Sequence, residues 1–535
     1  MKPSDAETLR LAQAAVQAFA LGDIAAARTH ADAALARNPE EPNAHQILGL
    51  IALRAGDART ARVHLERANA AAPDQPAILN ALGGALRHTG DPIAARQAFA
   101  RAGEQGLAEA WRNLGNLETA ETRIDAAIAA YERATRADPA SAPAHAALAR
   151  LLEQRHDLAR AKTHAERALA LAPGDEIARL TLAQLALRAR NCDAAETYAA
   201  PILQRSHSPT NQALAWGLVG EARDKSGRPR EAFDAFRRAN AALDTLHGAL
   251  RDDTRSPFHP DAIARLAAFA EHAAAPPPPR PSDDPAPAFL IGFPRSGTTL
   301  LDQILSAHSR IVSMEEKEVF AAITADRAQS DAALAAFAVA PPAEMARLRA
   351  AYWAGVRANG IAPEGRVFVD KLPLNLILAP LIARVFPGAK LIFAVRDPRD
   401  VILSCFQQRF GLNTAMAHFL DLERAARYYA AAMSLFDLCR ARLPLDIHLV
   451  RYEDVVADLD LQAHTLADCL GVAFEPAMLA FHQAAARRDI NTPSARQVIE
   501  PLYAHSVGRW RAYAEDLAPS LPILDPWVRR FGYTP

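Results

Sequence analysis

Apolar and polar positions follow two different rhythms along this 535-residue chain, and the change of rhythm divides it. Over residues 8–245 the rhythm is helical and it repeats. One unit reads Leu48-Gly49, then Ala61, Ala68 and Pro73. The next reads Leu82-Gly83, Ala95, Phe99, Ala102; a third reads Trp111, Leu114-Gly115, Ala127, Tyr131, Ala134, Pro139; a fourth reads Leu148-Ala149, Ala161, Ala168, Pro173. Weaker copies begin near Thr8, Glu176 and Ala213, so successive starts lie 32 to 37 residues apart. Turn residues (Gly22-Asp23, Gly56-Asp57, Gly90-Asp91, His156-Asp157, Gly227-Arg228) split each unit into two helices. Small Gly and Ala let the two helices approach, a bulky Phe or Tyr is expected to fill the gap between units, and Pro ends the second helix. Each unit leaves an apolar face that only a neighbour covers, so the pattern predicts a stacked array.

About seven such units in phase resemble the tetratricopeptide repeat. The resemblance implies an α-helical solenoid whose concave surface binds a protein or peptide. A passive spacer or dimerisation surface is the plainer alternative.

After Leu250 the helical rhythm fades. Residues 273–288 are dominated by Ala and Pro, which favour extended polyproline conformation and pack neither as helix nor as central strand. The expected organisation is therefore a repeat array over 1–250, a connecting segment with a Pro-rich linker over 251–286, and a second domain over 287–535. There the rhythm becomes short apolar runs alternating with helical stretches. Ala288–Phe293, Arg366–Lys371, Ala389–Val395 and Asp446–Val450 read as buried strands, the first followed by a helix over Leu300–His308 and the second by one over Leu374–Phe386. This order predicts an α/β P-loop-type three-layer domain with a central parallel sheet and ligands at the strands' carboxyl ends.

The first strand runs into Pro294, Arg295, Ser296, Gly297, Thr298 and Thr299, then into a helix. Strand, tight polar loop and helix start make an anion-binding turn, because backbone N–H groups and the helix dipole converge on negative charge. The spacing from Gly292 to Gly297 matches the nucleoside-triphosphate P-loop, but Thr298 stands where that loop has Lys, and a cation appears earlier, at Arg295. The departure argues against ordinary triphosphate chemistry, and no acidic strand end is set for magnesium. A second strand-to-helix turn carries Arg396, Asp397, Pro398, Arg399 and Asp400, with Ser404 on the helix that follows. A phosphate dianion is well met by one fixed guanidinium and a hydroxyl beside a helix start. Asp397 and Asp400 read as helix caps.

The Pro-Arg-Ser-Gly-Thr-Thr string resembles the 5′-phosphosulfate loop of sulfotransferases. Arg396 and Ser404, eight residues apart, resemble that family's 3′-phosphate contacts. Over roughly residues 287–515 the order of motifs most resembles the protein-tyrosine sulfotransferase branch. That resemblance implies 3′-phosphoadenylyl sulfate as co-substrate, 3′,5′-adenosine bisphosphate as product, and no metal. It implies Glu316, 21 residues after Arg295, as general base, with Glu315 and Glu318 as rivals. Lys371 matches the residue that assists the leaving group, and Tyr452 a contact near the adenine. Ser494 and Arg509 match a Ser and a basic residue of the closing loop; Arg295 and Ser494 would also stabilise charge on the sulfuryl group. A basic contact expected four residues after Ser404 falls on Gln408, with Arg409 adjacent. His308, the base position of small-molecule sulfotransferases, ends an apolar helix and reads as structural.

Charge alters the picture little. Lys plus Arg number 60 and Asp plus Glu 61, so no net field draws nucleic acid or anionic membrane. Four scattered cysteines read as reduced thiols. No apolar run has the length of a signal peptide or membrane span, which makes a cytoplasmic location the expectation. The acceptor hydroxyl stays open between a peptide tyrosine, a small molecule, a lipid and a sugar. A repeat scaffold with an inactive nucleotide-binding domain, or a P-loop kinase, are the alternatives to an active transferase.

Overall fold

The computed structural model describes residues 3–272, 286–485 and 506–534. Residues 273–285 of the Pro-rich segment and Ser494 lie outside that set. By compactness the chain forms two units, Met1–Arg205 and Ser206–Pro535. The periodicity of the sequence runs past this division, because the last repeat belongs to the second unit.

The first unit is six helical hairpins, from Pro3–Ala20 with Ile24–Arg37 to Glu176–Arg188 with Cys192–Arg205. Local chemistry explains each turn. Gly22, Gly56 and Gly90 take the left-handed backbone (φ 83°, 78° and 81°), and His156 takes it without being glycine (φ 61°). The Asp that follows caps the second helix: Asp23, Asp57, Asp91 and Asp157 each accept an N–H bond from three residues on. Within a hairpin, the bulky residue lies on the glycine of the facing helix. A Cβ at Gly83 would stand 2.7 Å from Phe99, and one at Gly115 2.7 Å from Tyr131. The aromatic ring thus fills the space inside its own hairpin rather than between units.

The second unit opens with a seventh hairpin, Pro209–Lys225 and Pro229–His247, and a helix, Pro260–His272, that the fading periodicity did not predict. Five parallel strands follow: β1 (Ala288–Gly292), β2 (Ile311–Glu315), β3 (Val367–Lys371), β4 (Lys390–Val395) and β5 (Asp446–Arg451). Their order is β2-β3-β1-β4-β5. Alternation along β1 builds two cores. Phe289 and Ile291 join Phe393, Phe436 and Tyr352 on one face, and Leu290 joins Ile304, Ile392 and Leu466 on the other. Helix Pro260–His272, together with Ala232 and Phe236 of the seventh hairpin, is part of the first of these cores. The expected apolar helix after β3 is a 3-10 turn, Pro373–Leu376, followed by helix Ala379–Val385.

The direction of winding reverses at the middle of the sheet. From β1 the chain builds one side with β2 and β3, then crosses to build the other with β4 and β5. Such a reversal opens a crevice beyond the carboxyl ends of the central strands, here β1 and β4.

Candidate functional site

Two loops border that crevice. The first leaves β1 at Gly292, where a Cβ would come within 2.6 Å of the Ala394 carbonyl on β4, so only glycine permits the approach of the two strands. Helix Thr298–Ser306 follows, with its first-turn N–H groups free of helical partners by construction. Gly297 precedes it at φ 99°, and a side chain there would meet Tyr452 at 2.7 Å. Ser296 is buried and its hydroxyl donates to the Phe293 carbonyl at 2.5 Å, closing the turn. Thr298 and Thr299 are buried at the helix start. Cys405 supports the loop from below, its thiol 3.4 Å from the Pro294 carbonyl.

Arg295 itself sits in left-handed backbone, φ 72°, which costs about 1–3 kcal/mol for a residue carrying a Cβ. Its Nε donates to the Ser404 hydroxyl at 2.9 Å, across the crevice. Burial, together with the neighbouring cations of Arg396 and Arg509, pushes its guanidinium down to about 10. It remains charged at neutral pH.

The second loop leaves β4 at Arg396. This side chain is 7 % exposed, donates to the Arg295 carbonyl at 3.2 Å and to the Ser506 carbonyl, and lies 5.0 Å from the Tyr452 ring. Its buried Nε has no hydrogen-bond partner among the described residues. A buried, unpartnered guanidinium nitrogen is costly unless an anion completes it. Asp397 caps helix Pro398–Gln407 and pairs with Arg399 at 2.8 Å. Asp400 does otherwise than expected. It caps no helix but accepts the Gly508 and Trp510 N–H groups at 2.7 and 2.8 Å, holding the late segment against the loop.

Beside β1 on the other side, β3 ends in Lys371, which is fully buried. Its ammonium donates to Glu316 at 2.9 Å and to Glu315 at 3.1 Å. Glu315 lies in register with Lys371 across β2 and β3. Glu316 follows at the strand's end, where its N–H still bonds the Lys371 carbonyl (2.8 Å) while its backbone turns left-handed, φ 49°. It is therefore a strand-end residue, not a helix-start cap; helix Val319–Thr324 begins after Glu318. Burial disfavours the Lys371 cation, but the carboxylates of Asp302, Glu316 and Glu315 outweigh it and raise the ammonium's pKa. Asp302, buried at 2 % exposure and bonded by the Ser313 hydroxyl, was not singled out from sequence. A lone acid in the apolar helix Leu300–Leu305 was the available signal. Next to Lys371 on β3, Asp370 is fully buried, accepts the Tyr352 hydroxyl at 2.8 Å, and is pushed by burial up to about 7.

Along the sheet the order is thus Glu316 and Glu315 (β2), Lys371 (β3), Arg295 (β1), Arg396 (β4). Tyr452, at the end of β5, covers Gly297 and Arg396. Arg509 reaches Asp224 of the seventh hairpin at 2.6 Å and Gln407 at 3.4 Å. Gln408 turns onto the Arg409 carbonyl, 3.3 Å away, and Arg409 packs on Gly217. His308 is structural: its Nδ1 accepts the Arg310 N–H at 3.0 Å and its Nε2 donates to the Ala473 carbonyl at 2.7 Å. Among the described residues, no three His, Cys, Asp or Glu side chains converge as a metal site. No helix among them is long and apolar enough to cross a membrane.

Comparison with known proteins bears on this arrangement. Residues 287–476 match the model of the sulfotransferase family, and residues 12–76, 48–106 and 112–176 match that of the tetratricopeptide repeat. An uncharacterised protein of Aquifex aeolicus is 26 % identical over 256 residues, which is 46 % of this chain and 33 % of that one. This chain therefore spans about a third of that relative's length. Protein-tyrosine sulfotransferase A of Caenorhabditis elegans is 25 % identical over 270 residues, 46 % of this chain and 67 % of that protein. A solved structure of Pseudomonas aeruginosa PilF covers 39 % of this chain at 18 % identity, with a TM-score of 0.37.

Proposed function

From a chain that joins tetratricopeptide repeats to a sulfotransferase-family domain, we propose an enzyme that moves a sulfuryl group from 3′-phosphoadenylyl sulfate to an acceptor hydroxyl, with the repeats holding a protein or peptide partner. The observation that carries this reading is one of strain. Among the described residues of the second unit, the non-glycine residues in left-handed backbone are Arg295 and Glu316. Both lie at carboxyl ends of strands, and both carry the charge that the transfer needs. Strain of this kind persists where function fixes a side chain against backbone preference.

The chemistry follows as an in-line displacement. Glu316 takes the proton of the acceptor hydroxyl, whose oxygen attacks sulfur from the side opposite the leaving phosphate oxygen. The bond from sulfur to that phosphate oxygen breaks, and its electron pair stays with adenosine 3′,5′-bisphosphate. Arg295 and Lys371 face the negative charge that moves onto the leaving oxygen, in a crevice where water screens little. Lys371 enters the reaction as an ammonium, because three carboxylates keep it protonated. Arg396 supplies its unpartnered Nε, with Ser404, to the 3′-phosphate; Tyr452 and Arg509 complete the nucleotide site, and Ser494 joins Arg295 at the sulfuryl group.

The acceptor class we favour is a tyrosine on a peptide, since the relatives include protein-tyrosine sulfotransferases and the repeats suit a peptide partner. A labelled sulfate donor offered with tyrosine peptides, small phenols, sugars and lipids decides it. Label on the peptides alone supports the reading. Label elsewhere keeps the transferase and moves the acceptor, and no transfer to any class with intact donor binding leaves the repeat scaffold.

A further inference from the structure

The seventh hairpin shares side-chain bonds with the donor crevice at two separate places. In the first, the buried Asn240 donates to the Phe406 carbonyl at 2.9 Å, and the Phe233 ring stacks on Phe406 at 5.2 Å. Phe406 is two residues from Ser404 on helix Pro398–Gln407. In the second, Asp224 places one carboxylate oxygen 2.6 Å from Arg509 Nη2 and the other 2.6 Å from the Tyr513 hydroxyl, and both side chains donate to it.

Asp224 lies in the last turn of helix Pro209–Lys225, where the helix dipole is negative and a carboxylate is disfavoured. Its pairing with Arg509 offsets that cost. Arg509 in turn lies close enough to Arg295 to lower that guanidinium's pKa. The Arg509 bonds to Asp224 and Gln407 both run from Nη2, and fixing that nitrogen removes the rotamer freedom that ordering the guanidinium on an anion would cost.

We infer that Asp224 of the last repeat is a positioning residue of the donor site: it holds Arg509 in place for the nucleotide's phosphates. The last repeat is then a working part of the transferase and not a detachable end of the array. This rests on the donor reading proposed above.

The test is a calorimetric titration of the full chain with adenosine 3′,5′-bisphosphate, run on wild type, Asp224→Asn, Arg509→Ala, the double variant and Tyr513→Phe. Losing one charge-assisted anchor should weaken binding by about tenfold in Asp224→Asn. The double variant should bind no more weakly than Arg509→Ala, because Asp224 acts only through Arg509. Tyr513→Phe, which removes the other hydrogen bond and leaves the ion pair, should lower the melting temperature and keep affinity within about twofold. Additive losses, an Asp224→Asn affinity equal to wild type, or an equal loss in Tyr513→Phe would each overturn the inference. A wild type that ignores the bisphosphate would instead remove the donor reading on which it stands.

Discussion

Glu315 and Glu316 hold the same buried ammonium, 3.1 and 2.9 Å from Lys371 Nζ, yet only one of them is assigned a proton to take. Replacing each with Gln in turn therefore separates ion pairing from catalysis. A charge-assisted hydrogen bond is worth about 1.5–3 kcal/mol. The Glu316 side chain is 34 % exposed and Gln still accepts a bond, so the loss in stability should be about 1 kcal/mol. Glu315 is 20 % exposed and in register with Lys371, so its replacement should cost as much or slightly more. Turnover should part company from stability. Loss of a positioned base lowers a rate by about 10²–10⁴-fold, so Glu316→Gln should fall by that amount while Glu315→Gln stays within about tenfold of wild type. The assay is the release of adenosine 3′,5′-bisphosphate from the sulfate donor at saturating acceptor, beside thermal melts of both variants. Equal falls in turnover would mean that both carboxylates act only by holding Lys371. A Glu316→Gln enzyme at wild-type rate would refute the base assignment outright.

Three further outcomes are expected from the same geometry. Asp370 is raised to about 7 by burial, so the folded chain binds a proton there that the unfolded chain has lost. That stability is full below about pH 4 and is lost as pH rises through about 7; Asp370→Asn, which keeps the Tyr352 bond, should raise the melting temperature at pH 8 and change it little at pH 4.5. Two repeats carry matched histidine pairs, His45–His64 and His145–His164, with Nδ1 atoms 2.9 and 2.8 Å apart. His45 and His145 donate from Nε2 to the Pro39 and Pro139 carbonyls, so His64 and His164 must donate between the rings, and a proton added at Nδ1 of His45 or His145 would leave two donors facing. Burial and the partner ring lower the pKa of His64 and His164, so here the sign is opposite: stability is present above about pH 6.5 and is lost as pH falls through the lowered folded values. The His64→Gln and His164→Gln double variant should flatten the melting profile between pH 7.5 and pH 5, and an unchanged slope would contradict the pairing. Gly297→Ala, with φ 99° and a new Cβ 2.7 Å from Tyr452, should weaken nucleotide binding at least tenfold by titration while the sheet's circular dichroism is kept.

Much of the fold was legible in the sequence because each feature had a local cause. A Gly-Asp pair is a left-handed turn followed by an N-cap, so the repeats could be counted from the sequence alone. Buried strands such as β1 and β4 read as unbroken apolar runs because helices cover both faces. Strand β2 was not legible. It lies at the sheet's edge, its five residues are Ile, Val, Ser, Met and Glu, and only Ile311 and Met314 are buried. Arg295, Arg396 and Ser404 could be placed beside the crevice because each sits at a fixed distance from a strand end. The contacts of Asp224 and Asp400 could not, since the donors they accept from lie 285 and 108 residues away or more, and neither could the pull of Asp302 on Lys371, 69 residues away; no local pattern encodes such pairs. Asp400 looked like a cap because it begins a helix; its partners came from the other end of the domain.

Donor identity is decided by titrating the full chain in parallel with adenosine 3′,5′-bisphosphate and with ATP plus magnesium. The bisphosphate should bind tightly, lose that binding in Arg396→Ala, and outcompete a weakly bound ATP. At a hundred times its dissociation constant, the bisphosphate should stabilise the fold by about 2.7 kcal/mol. Preference for ATP and magnesium, or bisphosphate binding that survives Arg396→Ala unchanged, would contradict the donor reading.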